Sequence, residues 1–180
     1  MKVTSPTLYC DLETFSAKDI RTGSHAYAAD PSAEVLLWGY AIDDAPAKVW
    51  DVTAGPMPEE LRQALDEVAR KERRHVWQNG VMFDRVFLSY VMPEIELPME
   101  TLDDTMVMAY QAGLPGSLKE PGIFIQKYRQ KSRSKKKRLC NYLTVFTTFS
   151  NALGLFIARS ASTLRLSAIP LALTLPINSE

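Results

Sequence analysis

The chain has 180 residues, 46% of them hydrophobic and 23% charged, which excludes a disordered or fibrous protein and suits one globular domain with an appendage. Formal net charge is zero and points to no partner by itself, yet residues 1–120 carry 20 acidic against 11 basic residues and residues 121–180 carry 10 basic residues and the single acid Glu180. Two cysteines, Cys10 and Cys140, exclude a disulfide framework and a zinc cluster, and Met1–Pro6 has no hydrophobic signal region, so a reducing compartment rather than secretion is expected.

In chain order, Thr7–Glu13 reads as a first strand that ends in a loop through Ser16 and Asp19. His25–Pro31 reads as a short connection stopped by its proline. Glu34–Ile42 is a strongly apolar strand, closed by the turn Asp43-Asp44-Ala45-Pro46, and Ala47–Val52 is a third strand close enough to form a hairpin with it. Pro58 opens a helix with Glu59 and Glu60 at its positive end. Leu61, Ala64, Leu65 and Val68 give that helix an apolar stripe, and Arg70, Lys71, Arg73 and Arg74 suit its C-terminal end. His75-Val76-Trp77 is a short strand, and Asn79-Gly80 turns into a helix over Val81–Val91 with Phe83, Phe87 and Tyr90 on one side. Glu94–Thr101 is a connection with room for a short strand. Asp103–Gln111 is a further helix, capped by Asp103, with Met106, Val107 and Tyr110 inward. The order β-β-β-α-β-α-β-α predicts an α/β fold with a mixed sheet, antiparallel at first and then parallel, covered by helices. That is the order of a ribonuclease H-like fold.

Asp11 and Glu13 lie two apart on the first strand and so share one face. Adjacent carboxylates at the end of a core strand are costly unless a cation sits between them. Asp84 lies in the first turn of a helix that directly follows a strand, where α/β sheets place their sites. If the Trp77 strand neighbours the Asp11 strand, the three carboxylates converge, and an all-oxygen set without histidine suits Mg²⁺ or Mn²⁺. Asn79 and Phe83 would flank the same place, for a hydrogen bond and a stacking contact with a terminal nucleotide. Blander readings stand beside these. Asp11 and Glu13 can be a solvent-facing strand end, Asp84 a helix-start carboxylate, and Phe83, Phe87 and Tyr90 plain core. His25 and His75 read as structural, and Trp38, Trp50 and Trp77 as core. Asp104 could lie near the site and is assigned no metal role.

Asp11-Leu12-Glu13-Thr14 resembles the first motif, D-x-E-T, of the DEDD superfamily of 3′-5′ exonucleases, and Asn79-Gly80-Val81-Met82-Phe83-Asp84 resembles its second, N-x-x-x-F-D. Asp104-Thr105-Met106 is similar to a D-T-M segment of proofreading domains of the DNA polymerase I type. Tyr27-Ala28, Glu34-Val35-Leu36-Leu37 and Gly113-Leu114-Pro115-Gly116-Ser117-Leu118 extend the likeness to bacteriophage family A DNA polymerases, over about residues 7–120. The resemblance implies a domain that removes nucleotides from the 3′ end of single-stranded DNA by two-metal phosphodiester hydrolysis, beside a polymerase domain or replication proteins, in the cytoplasm of a bacterial host. It implies that Asp11 bridges both metals, Glu13 holds the metal of the attacking water and Asp84 holds the second. It gives Thr14, Asn79 and Phe83 contacts with the terminal nucleotide.

The superfamily's third motif, Y-x-x-x-D or H-x-x-x-x-D, has no counterpart here. No Asp follows Glu120, and Tyr128 and Tyr142 have Ser132 and Phe146 at the fourth position after them. The expected organisation is an incomplete exonuclease-like domain over residues 1–120 and an irregular, basic then apolar tail over 121–180. Such a tail arises from a lost reading frame near Glu120 or from divergence in a genuine short relative, and in either case activity is expected to be weak or absent. Two other readings are open. A catalytically silent module that binds single-stranded nucleic acid or a polymerase would use the same fold, with the eight cations of 127–138 as a phosphate-binding run or a solvated stretch. A membrane-associated protein would use residues 139–158, which their Thr, Ser and Asn content disfavours.

Overall fold

The computed structural model describes residues 5–111. Five strands form one sheet: β1 Thr7–Phe15, β2 Glu34–Ile42, β3 Lys48–Asp51, β4 Arg74–Trp77 and β5 Leu102–Asp104, in the order β3-β2-β1-β4-β5. β1 pairs antiparallel with β2, and β2 with β3; β4 runs parallel to both β1 and β5. Four helices are interspersed: α1 Ser24–Ala28, α2 Glu59–Ala69, α3 Asp84–Val91 and α4 Thr105–Gln111. This is the mixed, helix-covered sheet expected of a ribonuclease H-like domain. The Gly113–Leu118 stretch, the basic run, the apolar stretch and the tail expected as a separate region lie outside the described residues.

Alternation along β1 makes the core. Leu8, Cys10 and Leu12 are buried, and their cross-strand partners are Ile42, Tyr40 and Trp38. Trp38 pairs in turn with Trp50 on β3, ring centroids 6.3 Å apart, and meets Trp77 of β4 at 5.9 Å. Cys10 occupies the intervening strand, and its small side chain leaves room for two indoles to meet across it. The Trp38 Nε1 finds no oxygen or nitrogen acceptor among the described residues and faces the Cys10 thiol, whose proton affinity is raised by burial. α2 closes this core with the expected stripe, since Leu61, Ala64, Leu65 and Val68 are all buried. His75 is structural as expected: it is fully buried, accepts at Nδ1 from Trp77 Nε1 (2.8 Å) and therefore donates from Nε2 to Pro98 O (2.9 Å).

Four local expectations are corrected. His25–Ala28 is helical rather than a plain connection, because Gly23 at φ 98° turns the chain directly into α1. α3 begins at Asp84 and not at Val81, because Asn79 takes φ 64° and residues 79–83 form turns. Asp103 belongs to β5 and binds the Arg74 guanidinium with two hydrogen bonds, at 2.8 and 2.6 Å, so the start of α4 is capped by Asp104 instead. That shift by one residue buries Thr105 and Ala109 and leaves Val107 and Tyr110, like Tyr90 on α3, exposed.

The end of the sheet opposite the carboxylates is tied by Arg73. It is buried and reaches Glu67 Oε2 (2.7 Å), Asp43 Oδ1 (2.9 Å) and Thr7 O (3.1 Å). Asp43 Oδ1 also accepts from Thr7 N (2.7 Å), so one guanidinium joins the start of β1, the β2–β3 turn and the end of α2. Its two acidic partners are accessible enough to regain water when the pair is broken. Arg73→Ala is therefore expected to cost about 1–2 kcal/mol rather than the larger penalty of a stranded buried charge, as read by urea unfolding.

Candidate carboxylate site

β1 is the central strand, flanked on both sides, and its carboxylates lie on the face opposite Leu8, Cys10 and Leu12. Asp11 is opposite Gly39 and Glu13 opposite Leu37 on β2. The register shifts between Glu13 and Thr14, directly after the pair. Thr14 follows that irregularity, and its carbonyl accepts from the Tyr27 hydroxyl (3.3 Å), which ties the strand end to α1.

Asp84 is the first residue of α3 and only 3% exposed. The turn before it is internally bonded, Phe83 N to Asn79 O (2.9 Å) and Arg85 N to Gly80 O (3.0 Å). Gly80 is required there by close approach: a Cβ on it would lie 2.4 Å from Trp77 Cβ and 2.8 Å from Trp77 Cγ. Phe83 stacks on Phe87 (5.9 Å) and tilts against Tyr27 (6.0 Å), so this ring has core partners of its own. Asn79 keeps its Oδ1 buried and without a partner among the described residues.

The three carboxylates feel one another. Burial, and then the charge of Glu13, pushes Asp11 up to about 7. Burial raises Glu13. Burial, followed by the charges of Asp11, Asp104 and Glu13, drives Asp84 well above the ordinary carboxylate range. None of the three forms an ion pair among the described residues. Among those residues no group of three or more His, Cys, Asp or Glu side chains is drawn close enough to hold a metal ion. The chemistry of the donor set nonetheless fits a hard divalent cation: three oxygen ligands, desolvated, mutually repelling and without a cation of their own.

Asp104, to which the sequence assigned no metal role, is a buried carboxylate that ties two turns together. Its buried carboxylate accepts from four backbone N–H groups, those of Asn79 (3.3 Å), Val81 (2.9 Å), Met106 (2.9 Å) and Val107 (3.2 Å). Its neighbour Thr105 donates through Oγ1 to Trp77 O (3.1 Å) and also bonds Gln78 Oε1. The sequence signal for the cap was present in Asp103-Asp104-Thr105, but the reach to Asn79 and Val81 is tertiary.

The raised carboxylates set a pH dependence. Asp11 binds its proton more tightly in the folded chain than at its ordinary value of 3.8, so stability contributed by the protonated form is lost as pH rises from about 4 through 7. Asp11→Asn is expected to melt above the unsubstituted chain at pH 8 and to lose that advantage near pH 4, with about 2–4 °C gained per kcal/mol recovered. Calorimetry across that range checks it.

No protein-family model matches the chain. A curated DNA polymerase of Bacillus phage SP02 is 33% identical over 141 residues, which cover 77% of this chain and 21% of the polymerase. The match is longer than residues 1–120 and so continues past Glu120. Among solved structures, the family B DNA polymerase from the hyperthermophilic archaeon Pyrobaculum calidifontis is similar at 16% identity and a TM-score of 0.37, covering 84% of this chain and 24% of that one, a likeness too low to carry an argument. The chain spans about a fifth of the length of the phage polymerase it matches, and over that span it is similar to one part of that enzyme.

Proposed function

We propose that this chain is a 3′-5′ exonuclease, or proofreading, domain of a phage-type DNA polymerase, and that over its 180 residues it hydrolyses DNA weakly or not at all. The observation that carries the reading is the shared field of Asp11, Glu13 and Asp84, two from the central strand and one from a helix start, none of them ion-paired among the described residues. Kinship with a phage polymerase supports the context and leaves the activity to experiment.

In this reading Asp11 and Glu13 hold a divalent cation from β1 and Asp84 holds one from α3. Mg²⁺ or Mn²⁺ bound there supplies a Lewis acid and lowers the pKa of a bound water. Thr14, Asn79 and Phe83 are the residues of this reading that would contact the terminal nucleotide; the Asn79 Oδ1 is itself buried. Weak activity follows from the missing third motif: residues 121–180 hold no Asp at its spacing from a Tyr or His, and loss of one ligand from such a site costs orders of magnitude in rate. Since no three such ligands are gathered among the described residues, a silent module that binds single-stranded DNA is the second reading.

The full chain is expected to show a Tm that rises with Mn²⁺, an effect lost in Asp11→Asn and Asp84→Asn, and little or no digestion of 3′-labelled single-stranded DNA. Robust digestion abolished by Asp11→Ala would overturn the claim of weak activity. A Tm indifferent to Mn²⁺, with DNA binding retained, would favour the silent module.

A further inference from the structure

We propose that Asp104 is a positioning residue that holds the Asn79–Asp84 turn so that Asp84 faces Asp11, an inference that rests on the carboxylate-site reading above. An ordinary helix cap engages only the first free N–H groups of its own helix. Asp104 does this with Oδ1 toward Met106 and Val107. It also reaches back to the preceding turn, with Oδ1 to Asn79 N and Oδ2 to Val81 N. The bond from Val81 uses the oxygen that the cap leaves free.

The turn it holds needs holding. Asn79 sits at φ 64°, in the left-handed region that non-glycine residues adopt sparingly. Gly80 is pressed against Trp77 on the inner side. From there the bonds Phe83 N to Asn79 O and Arg85 N to Gly80 O carry the turn's geometry to the first residue of α3, which is Asp84. Thr105 adds a second, buried tether from α4 to Trp77 O. The clamp is particular to this position, because Asp103, one residue earlier and equally acidic, is committed to Arg74.

Serine caps helices about as well as aspartate but is one atom shorter, too short to keep Val81. Asp104→Ser in the full chain is therefore expected to leave Tm within a few degrees. It is expected to speed amide exchange at Asn79 and Val81, and to weaken Mn²⁺ binding, read by electron paramagnetic resonance of the free ion, by about tenfold or more, the usual effect of removing an outer-shell partner. Asp103→Ser should change neither exchange at Val81 nor Mn²⁺ affinity. If Asp104→Ser does not fold, Asp104→Asn serves: it keeps one acceptor for the cap and turns its amide against Val81 N–H alone. Unchanged exchange at Val81 overturns the proposal, and so does a released turn with unaltered Mn²⁺ affinity. If the unsubstituted chain binds no Mn²⁺, the carboxylate-site reading fails, and exchange at Val81 still decides whether Asp104 holds the turn.

Discussion

Negative charge buried on the central strand is the constraint around which the described residues are arranged. β1 is paired on both edges, so Asp11 and Glu13 cannot escape to water by fraying at a sheet edge. Their positions are fixed by the opposite face. Leu8, Cys10 and Leu12 must point into the tryptophan core, and a slip of one residue would drive two carboxylates into it and expel three buried side chains. The hydrophobic face thus holds the carboxylates where they repel. The protein accepts that cost at one place, next to the helix that brings Asp84.

The two ends of the sheet are secured by different chemistry. At the start of β1, Arg73 gathers two carboxylates and a carbonyl, a cation serving anions. At the other end, Asp104 gathers backbone N–H groups, an anion serving dipoles. A second arginine at that end would neutralise the three carboxylates and compete with any metal. An anchor made of N–H groups gives rigidity and leaves the site short of positive charge. The extra anion raises the proton affinity of Asp84 further, which strengthens its demand for a cation.

Much of this was legible in the residues. Glu34–Ile42 is a strand from its first residue to its last, since a continuous apolar run between turn signals leaves little choice. The α2 stripe buries as its spacing requires. Asp11 and Glu13 were placed on one face by period two alone, and Asp84 at a helix start beside them. What failed were boundaries set by single backbone angles. The φ of Asn79 delays α3, that of Gly23 starts α1, and neither is visible in hydrophobic periodicity. On α4 the apolar residues Val107 and Tyr110 suggested an inward face, yet Thr105 and Ala109 point inward. A strand took Asp103 and rotated the following helix by one position. The long-range grip of Asp104 on Val81 could not be read at all, because it joins residues 23 apart in the chain.

The tryptophan cluster has an optical consequence. The chain contains three tryptophans, and all three lie in this one sheet, two of them in contact with Trp38 and one hydrogen-bonded to a buried imidazole. Tryptophan emission therefore reports on strands β2, β3 and β4, and residues 112–180 contribute no tryptophan to it. The emission spectrum is a built-in gauge of whether the scaffold under the carboxylates is intact.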